Sequence, residues 1–199
     1  PKLVVEGANH TVLSPSVVRR RDGEWLMWAV DGTEGCRAPD AHVTLRRSAD
    51  GVRWSGPQRV QLDQPGYSPW HVEVQWVPEL AEYWALYNGK TPGSCTTPAL
   101  FLATSADGVT WTTYPSPVLA RGTLPAFADI VYRATFQYDA TSDVVTLWHS
   151  GARYEGGRYV WSSAVEARRR DALFGLLNQP GPPDVPPGTP GAPPLEVFP

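Results

Sequence analysis

A seven-residue motif that occurs twice is the strongest constraint on what this chain can fold into. It reads Ser-Ala-Asp-Gly-Val-Arg-Trp at residues 48–54 and Ser-Ala-Asp-Gly-Val-Thr-Trp at residues 105–111, so six of the seven residues are identical. Each copy follows short segments rich in aromatic and β-branched residues, the pattern of β-strands bounded by turns. A motif that recurs with its flanking strands predicts a chain built from similar units that stack on one another.

The flanking segments divide the chain into three units of short strands. The main strands are predicted at 16–20, 24–30, 42–47, 71–77, 83–87, 99–104, 129–138, 144–149 and 158–162. A further short strand that begins with proline precedes each unit, at 1–5, 57–61 and 117–120. Units of four strands that repeat at about 40–60 residues are typical of the blades of a β-propeller.

The predicted fold class is therefore all-β, a partial β-propeller of about three four-stranded blades. Three blades are too few to close a ring, and residues 1–5 look like the last strand of a blade, so we expect at least one more blade before them. Residues 164–177 are predicted to form a short closing helix, and the propeller part is predicted to span residues 1–178. Residues 179–199 are predicted to be a disordered tail, because nine of the last twenty residues are proline and three are glycine.

Composition narrows the classes of partner. The formal net charge of -3 comes from 17 basic and 20 acidic residues that are mixed along the chain, which gives no basic face for nucleic acid. No apolar run approaches the roughly 20 residues of a membrane-spanning helix. The two cysteines, Cys36 and Cys95, match no zinc pattern and form either a disulfide or two free thiols. No metal or cofactor is predicted, and a Ca²⁺ ion at the centre of the propeller is left open as an alternative.

Three segments resemble the five-bladed β-propeller superfamily that contains glycoside hydrolase families 43, 62, 32 and 68. These segments are the repeated Ser-Ala-Asp-Gly-Val-x-Trp motif, the strand entry at 14–18 and the second strand at 24–28. The resemblance covers residues 1–178 and implies a protein that acts on oligosaccharides or polysaccharides. Sialidases are a poorer match, because their turn motif places a residue between Asp and Gly. The resemblance also implies paired carboxyl groups around a central funnel, since one must protonate the leaving oxygen and the other must attack or activate water.

Blade geometry selects the residues that reach this funnel. In a four-stranded blade, the loop before the first strand and the loop between the second and third strands lie on the funnel face, whereas the Asp-Gly turns lie on the opposite face. Asp129 and Glu73 are the predicted catalytic carboxylates. Alignment of the inner strands, however, places Glu73 level with Arg19 and Arg133, so a buried Arg-Glu-Arg stack is the alternative for that residue. The predicted substrate-binding residues are Asp31, Trp70, His71, Asn88, His149 and Arg153.

Three of the predicted substrate-binding residues have a structural alternative. Trp70 is either a platform for a sugar ring or a core tryptophan, and His71 and His149 are either ligand contacts or hydrogen-bonded residues of inner strands. Cys36 and Cys95 are expected in funnel-side loops of adjacent blades, where a disulfide would favour an extracellular or periplasmic protein. The predicted function is glycoside hydrolysis. The alternatives are a glycan-binding propeller without catalysis, which the serines at two of three strand entrances favour, and a protein-binding propeller.

Overall fold

The computed structural model describes residues 13–32, 35–181 and 188, which form twelve strands and one helix. The strands are β1 (Leu13–Arg19), β2 (Trp25–Asp31), β3 (His42–Ser48), β4 (Gln58–Arg59), β5 (Ser68–Val77), β6 (Glu82–Lys90), β7 (Ala99–Ser105), β8 (Thr112–Thr113), β9 (Leu119–Ala120), β10 (Ile130–Asp139), β11 (Val144–Glu155) and β12 (Arg158–Arg169). The helix is α1 (Arg170–Leu177), and short 3-10 turns occur at Gly35–Arg37 and Pro125–Phe127.

The strands form three antiparallel sheets, which we call blades 1, 2 and 3 in chain order. Blade 1 has the strand order β1-β2-β3-β4, and blade 2 has the order β5-β6-β7-β8, with β9 also paired to β7. Blade 3 has the order β10-β11-β12. The predicted all-β propeller units are therefore confirmed, but blade 3 has three strands among the described residues rather than four. The strand predicted at residues 1–5 lies outside the described residues.

Two apolar layers hold the three blades together. Between blades 1 and 2, Trp28 is fully buried, and its ring lies 5.4 Å from that of Tyr83 and 6.4 Å from that of Trp111. Between blades 2 and 3, the buried ring of Trp84 stacks on Phe136 at 5.9 Å. Each layer buries one face of blade 2, because successive residues of β6 point to opposite faces. Blade 2 is thus covered on both sides.

The two Asp-Gly turns have the predicted structure and connect the third strand of a blade to the fourth. The Asp50 carboxylate accepts hydrogen bonds from the backbone N–H groups of Val52 and Arg53, at 2.9 and 2.8 Å. Asp107 makes the equivalent bonds to residues 109 and 110, at 2.7 and 2.8 Å. These bonds favour the ionised carboxylate and lower the pKa of both aspartates. Each Asp therefore caps its own turn.

The predicted helix begins six residues too early. Residues 164–169 belong to β12, where Ala164 pairs with His149 and Arg169 pairs with Val144, and the helix starts at Arg170. Extended strand is favoured in 164–169 because successive side chains alternate between exposed and half-buried, which is the period of a sheet. Inside the helix, Leu173 and Leu177 are buried, so its apolar face packs as expected.

All three inner strands contain a register irregularity of the β-bulge type at the same place. The ladder shifts between Leu13 and Ser16 in β1, between Pro69 and Val72 in β5, and between Val131 and Ala134 in β10. In each case the inner strand uses one residue more than its partner strand. An extra residue bends the strand and turns the preceding side chains to new directions, which is common beside functional sites.

Candidate functional site

The bulges lie where the inner strands begin, at the funnel face, and their extra residues meet. The bulge residues are Ser14 and Pro15 in blade 1, Trp70 and His71 in blade 2, and Tyr132 and Arg133 in blade 3. We call this set the bulge cluster. It is the place where polar side chains from all three blades come into contact, so it is the candidate functional site.

Hydrogen bonds link the cluster across the three blades. Arg133 Nη2 donates to Ser14 Oγ at 2.7 Å, although the two residues are 119 positions apart in the sequence. Ser14 Oγ is hydrogen-bonded in turn to His71 Nδ1. The His71 ring is in T-shaped contact with Tyr132, with 4.7 Å between the ring centroids. Ser14, at φ 53°, has a left-handed backbone, which is uncommon for residues other than glycine and occurs often at functional sites.

The environment of His71 favours its neutral form. The residue is 5% exposed, and its Nε2 atom is buried without a hydrogen-bond partner. Burial and the nearby Arg133 charge lower the pKa of His71 from 6.5 to about 3, because both disfavour the imidazolium ion. A buried polar atom that makes no hydrogen bond costs about 1–3 kcal/mol. A buried polar atom without a partner requires an explanation, and a contact with a ligand is one such explanation.

Two buried residues of β6 contact the bulge cluster. Asn88 Nδ2 donates to the backbone oxygens of Val131 and Tyr132, at 3.1 and 2.8 Å, and so holds the bulge of β10. Lys90 is fully buried, donates to the backbone oxygen of Ala38 at 2.8 Å, and lies 5.8 Å from the centroid of the Trp70 ring. Burial lowers the pKa of Lys90, and the charge of Asp40 opposes that shift. Asn88 thus occupies a positioning role rather than an open contact with a substrate.

Trp70 is part of the packed core of this site. Its side chain is 3% exposed and lies between Lys90 and His71, with 5.7 Å between the Trp70 and His71 ring centroids. The core alternative for Trp70 therefore describes its place in the structure, and no open ring face is available to a sugar. Trp161 is an exposed aromatic residue beside the cluster, at 47% exposure, and its ring lies 5.3 Å from the Tyr132 ring.

The two predicted catalytic carboxylates are not brought together. Asp129 is 3% exposed, directly precedes β10, and accepts a hydrogen bond from the Tyr154 N–H at 2.6 Å. Glu73 lies further along the inner strands, where it accepts hydrogen bonds from Gln75 and Thr135 at 3.3 and 3.4 Å. Thr135 is six residues beyond Asp129, or roughly 20 Å at about 3.3 Å per residue. Carboxyl pairs in glycosidases are about 5–10 Å apart.

The alternative of an Arg-Glu-Arg stack around Glu73 is also wrong. The bulge registers align Glu73 with Val17 and Thr135, two positions away from the alignment that the sequence predicted. Arg133 lies instead at the level of His71. The bulges do not explain this error, because each inner strand has the same extra residue. The sequence alignment matched Ser14 with Ser68 at the strand entrances, whereas the ladders place Leu13, Pro69 and Val131 level with one another.

The other predicted substrate-binding residues lie at separate positions on the blades. Asp31 is 5% exposed at the funnel end of β2, opposite His42 in the ladder. His149 is 5% exposed, contacts the Phe127 ring at 5.3 Å, and has its pKa lowered by burial. Arg153 forms an ion pair with Glu155 at 2.8 Å near the end of β11. Among the described residues, no side-chain hydrogen bond joins any of these three residues to the bulge cluster.

A disulfide joins the funnel-side loops of blades 1 and 2. Cys36 follows β2 and Cys95 follows β6, and their Cα atoms are 4.9 Å apart. This pairing resolves the two alternatives that the sequence left open. A nearby pocket of about 330 Å³ at the same end of blade 1 is lined by Asp40, Asp63 and Tyr67, among others. Two carboxylates thus border one pocket on the funnel side.

Sequence reasoning missed Tyr132 and Arg133 of the bulge cluster and the neighbouring Trp161. Tyr132, Arg133 and Trp161 were not among the predicted binding residues, and Ser14 was noted only as a strand entrance. The one available signal was the Tyr-Arg pair near the start of the third inner strand, where a ring and a cation follow each other. Within the described residues, no three His, Cys, Asp or Glu side chains are grouped to hold a metal ion. No helix in the described part of the chain is long and apolar enough to cross a membrane.

Comparison with known proteins gives relatives that act on carbohydrates. The chain is 33% identical over 172 residues to an A type blood N-acetyl-alpha-D-galactosamine deacetylase of Flavonifractor plautii. It superimposes with a TM-score of 0.73 and 25% identity on the crystal structure of an N-acetylgalactosamine deacetylase of F. plautii in complex with blood group B trisaccharide. It also superimposes on a thermostable family-43 glycoside hydrolase with a TM-score of 0.61 and 16% identity. No protein-family model matches the chain.

The chain spans only part of each of these proteins. The matches include 79–85% of this chain, but 21% of the curated deacetylase, 53% of the deacetylase structure and 51% of the family-43 structure. The blades described above therefore span about half the length of each of these two solved structures. The chain has the fold of part of the five-bladed β-propeller glycoside hydrolases, which is the fold that its repeated turn motif predicts.

Proposed function

We propose that the chain is part of a carbohydrate-active enzyme and that it binds its glycan at the bulge cluster. The observation that carries this proposal is the meeting of Ser14, His71 and Arg133, one residue from each blade, at the funnel end of the inner strands. Half-buried Tyr132 and exposed Trp161 extend the cluster outwards. Aromatic rings beside a few polar groups suit a sugar, which has both apolar faces and hydroxyl edges.

Removal of an N-acyl group is the reaction that the cluster supports best. Acyl cleavage requires donors at the carbonyl oxygen, where negative charge develops in the transition state. The Arg133 guanidinium is such a donor, and Asp129 is the carboxylate that we propose to orient the substrate or to accept a proton. The similarity to proteins named as deacetylases, at 33% and 25% identity, also exceeds the similarity to the family-43 hydrolase, at 16%.

Cleavage of an O-glycosyl bond is the second candidate, because the fold is shared with glycoside hydrolases. That reaction requires two facing carboxyl groups. Asp129 and Glu73 are too far apart to serve as one pair, whereas Asp40 and Asp63 line the same pocket. A hydrolase would therefore use Asp40 and Asp63 together, or Asp129 with a carboxylate from a part of the propeller outside these blades.

The experiment compares the products released from an oligosaccharide that ends in N-acetylgalactosamine. Release of acetate indicates deacetylation, and new reducing ends indicate glycosidic cleavage. We expect Arg133→Gln to reduce acetate release by at least about tenfold, since a hydrogen bond from a charged donor is lost. Arg19→Gln is the matched control, because Arg19 is an exposed arginine at the other end of an inner strand.

Each outcome separates the candidates. New reducing ends that disappear in Asp40→Asn or Asp63→Asn would favour the hydrolase. Binding without turnover, unchanged in Asp129→Asn, would indicate a glycan-binding propeller. Failure of the chain to bind any sugar would contradict the proposal and would favour a protein-binding role.

A further inference from the structure

We infer that His71 presents a fixed Nε2–H donor to a carbonyl or carboxylate oxygen of a sugar, and that Ser14 and Arg133 set this arrangement. The inference rests on the proposed function, since it assigns a ligand atom to the same site. It also assigns a protonation state to one residue, and that state can be measured independently of any sugar. Nothing in the sequence distinguishes the two ring nitrogens of this histidine.

The direction of the hydrogen bonds follows from the chemistry of the three side chains. Arg133 has only donors, so Ser14 Oγ accepts its hydrogen bond. Ser14 has one hydroxyl hydrogen, and His71 Nδ1 is the atom within reach of it. If His71 donated to Ser14 instead, two donors would converge on one oxygen and the hydroxyl hydrogen would have no acceptor among its recorded contacts. Every hydrogen is used when Arg133 donates to Ser14 and Ser14 donates to His71.

This arrangement fixes the ring proton on Nε2. A neutral imidazole carries one proton, and Nδ1 is occupied as an acceptor. The Nε2–H group is then a donor that is buried and has no partner in the described residues. Tyr132 stands against the ring at 4.7 Å, and Arg133 is the charged group that faces it from blade 3. Glu73, two residues along β5, bonds to Gln75 and Thr135 instead.

The chemistry of the ligand follows from the donors on offer. Arg133 and the Nε2–H group both donate, so they select a group with an electron-rich oxygen. The acetamido carbonyl of an N-acetylated sugar and the carboxylate of a uronic acid share this property. Nε2 is shielded from solvent in this structure, so a ligand reaches it only when a neighbouring side chain moves.

Nuclear magnetic resonance of the chain labelled with ¹⁵N-histidine tests the protonation state. We expect the His71 resonances to show a neutral ring with the proton on Nε2 from pH 5 to pH 8. In Ser14→Ala we expect the two tautomers to mix, because Nδ1 loses its donor. A proton on Nδ1 in the wild-type chain, or titration of His71 near pH 6.5, would overturn the inference.

A pair of substitutions tests the ligand contact. The amide nitrogen of glutamine lies near the position of Nε2, and that of asparagine lies near Nδ1. We expect His71→Gln to keep affinity for N-acetylgalactosamine or galacturonate within about threefold and His71→Asn to lose about tenfold, as expected for one lost hydrogen bond. Galactose is the control ligand, because it has neither an acetamido carbonyl nor a carboxylate. Comparison of N-acetylgalactosamine with galacturonate shows which of these two groups the site binds.

The outcomes separate this inference from the proposed function. Equal affinity of His71→Gln and His71→Asn, with sugars still bound, would refute the donor role and leave the glycan site in place. If N-acetylgalactosamine and galacturonate both fail to bind the wild-type chain, the ligand assignment and the proposed function fall together. Tighter binding of either sugar than of galactose, with the expected order of the two variants, supports the inference.

Discussion

At the scale of single residues, His71 shows how two neighbours control a side chain. Its own burial and the charge of Arg133 both lower its pKa to about 3, and Ser14 occupies its Nδ1 atom. The residue type alone predicts a group that titrates near pH 6.5. The contacts convert it into a neutral group over the whole physiological range. The same contacts connect blade 1 to blade 2 and to blade 3, so the side chains of the site also link the blades.

This shift predicts how stability changes with pH. Because the folded pKa lies below the unfolded value of 6.5, the unfolded chain binds the proton more tightly. The contribution is complete above pH 6.5 and is lost as the pH falls towards 3, by up to about 1.4 kcal/mol per pH unit. We expect the free energy of unfolding to decline from pH 6.5 to pH 4 in urea titrations. His149 contributes in the same sense, so the decline should be smaller, but not absent, in His71→Gln.

Asn88 provides a second test at this scale. Replacement of this 1% exposed residue by alanine removes two hydrogen bonds to the bulge of β10. The Val131 oxygen keeps a hydrogen bond from the Thr97 hydroxyl at 2.6 Å, whereas the Tyr132 oxygen loses the Asn88 donor. We expect a loss of about 1–3 kcal/mol in the free energy of unfolding. Asn178→Ala is the matched control, since Asn178 donates to the Phe174 oxygen at 2.7 Å on the exposed end of α1. An equal effect of the two substitutions would contradict the positioning role of Asn88.

At the scale of elements, the strands and turns were predictable, and the bulges were not. Strand positions follow from the period-2 pattern and the Asp-Gly turns, both of which are local properties of the sequence. The extra residue in each inner strand depends on pairing with a partner strand, so it leaves no local signal in the sequence. The relative alignment of the inner strands also depends on this pairing, and matching the Ser-Pro pairs at 14–15 and 68–69 placed the strands two positions out of register. The same limitation extended the predicted helix into β12, because residues 164–169 become a strand through their ladder with β11.

The two Asp-Gly turns predict different tolerances to substitution. Gly51 and Gly108 both have positive φ, but a Cβ on Gly108 would lie 2.7 Å from the buried Trp28 ring, whereas one on Gly51 would lie 3.3 Å from Trp25. We expect Gly108→Ala to destabilise the chain by at least about 1 kcal/mol more than Gly51→Ala, because the Trp28 contact joins two blades. Gly23→Ala, at positive φ in open space, measures the backbone cost alone. Thermal unfolding of the three variants gives the comparison.

At the scale of the whole molecule, the faces of the three blades are unequal. Both faces of blade 2 are buried, whereas blade 3 exposes Trp148, Trp161 and Val165, at 43%, 47% and 59%. Leu86 occupies the position in blade 2 that Trp148 occupies in blade 3, and Leu86 is covered by blade 3. Blade 3 thus has an apolar face that no other blade covers among the described residues.

The disulfide gives a test of how firmly the blades are joined. It closes a loop with a sequence separation of 59 residues between blades 1 and 2, and cross-links of that size contribute about 2–4 kcal/mol, largely through the unfolded chain. We expect the double variant Cys36→Ser/Cys95→Ser to lose about that amount in urea denaturation. A reducing agent should lower the stability of the wild-type chain to the same level and leave the variant unchanged. Equal stability of both proteins without reductant would show that the cross-link contributes nothing.

The bulges also have a consequence for how such a chain can change over time. Removal of a single codon at a bulge would restore regular pairing and rotate the strand entrance by half a turn, so that side chains now directed at the axis would face a neighbouring sheet. Insertions and deletions at these three places therefore change which side chains line the funnel face and leave the rest of each blade unchanged. Point substitutions elsewhere on the inner strands have no comparable reach.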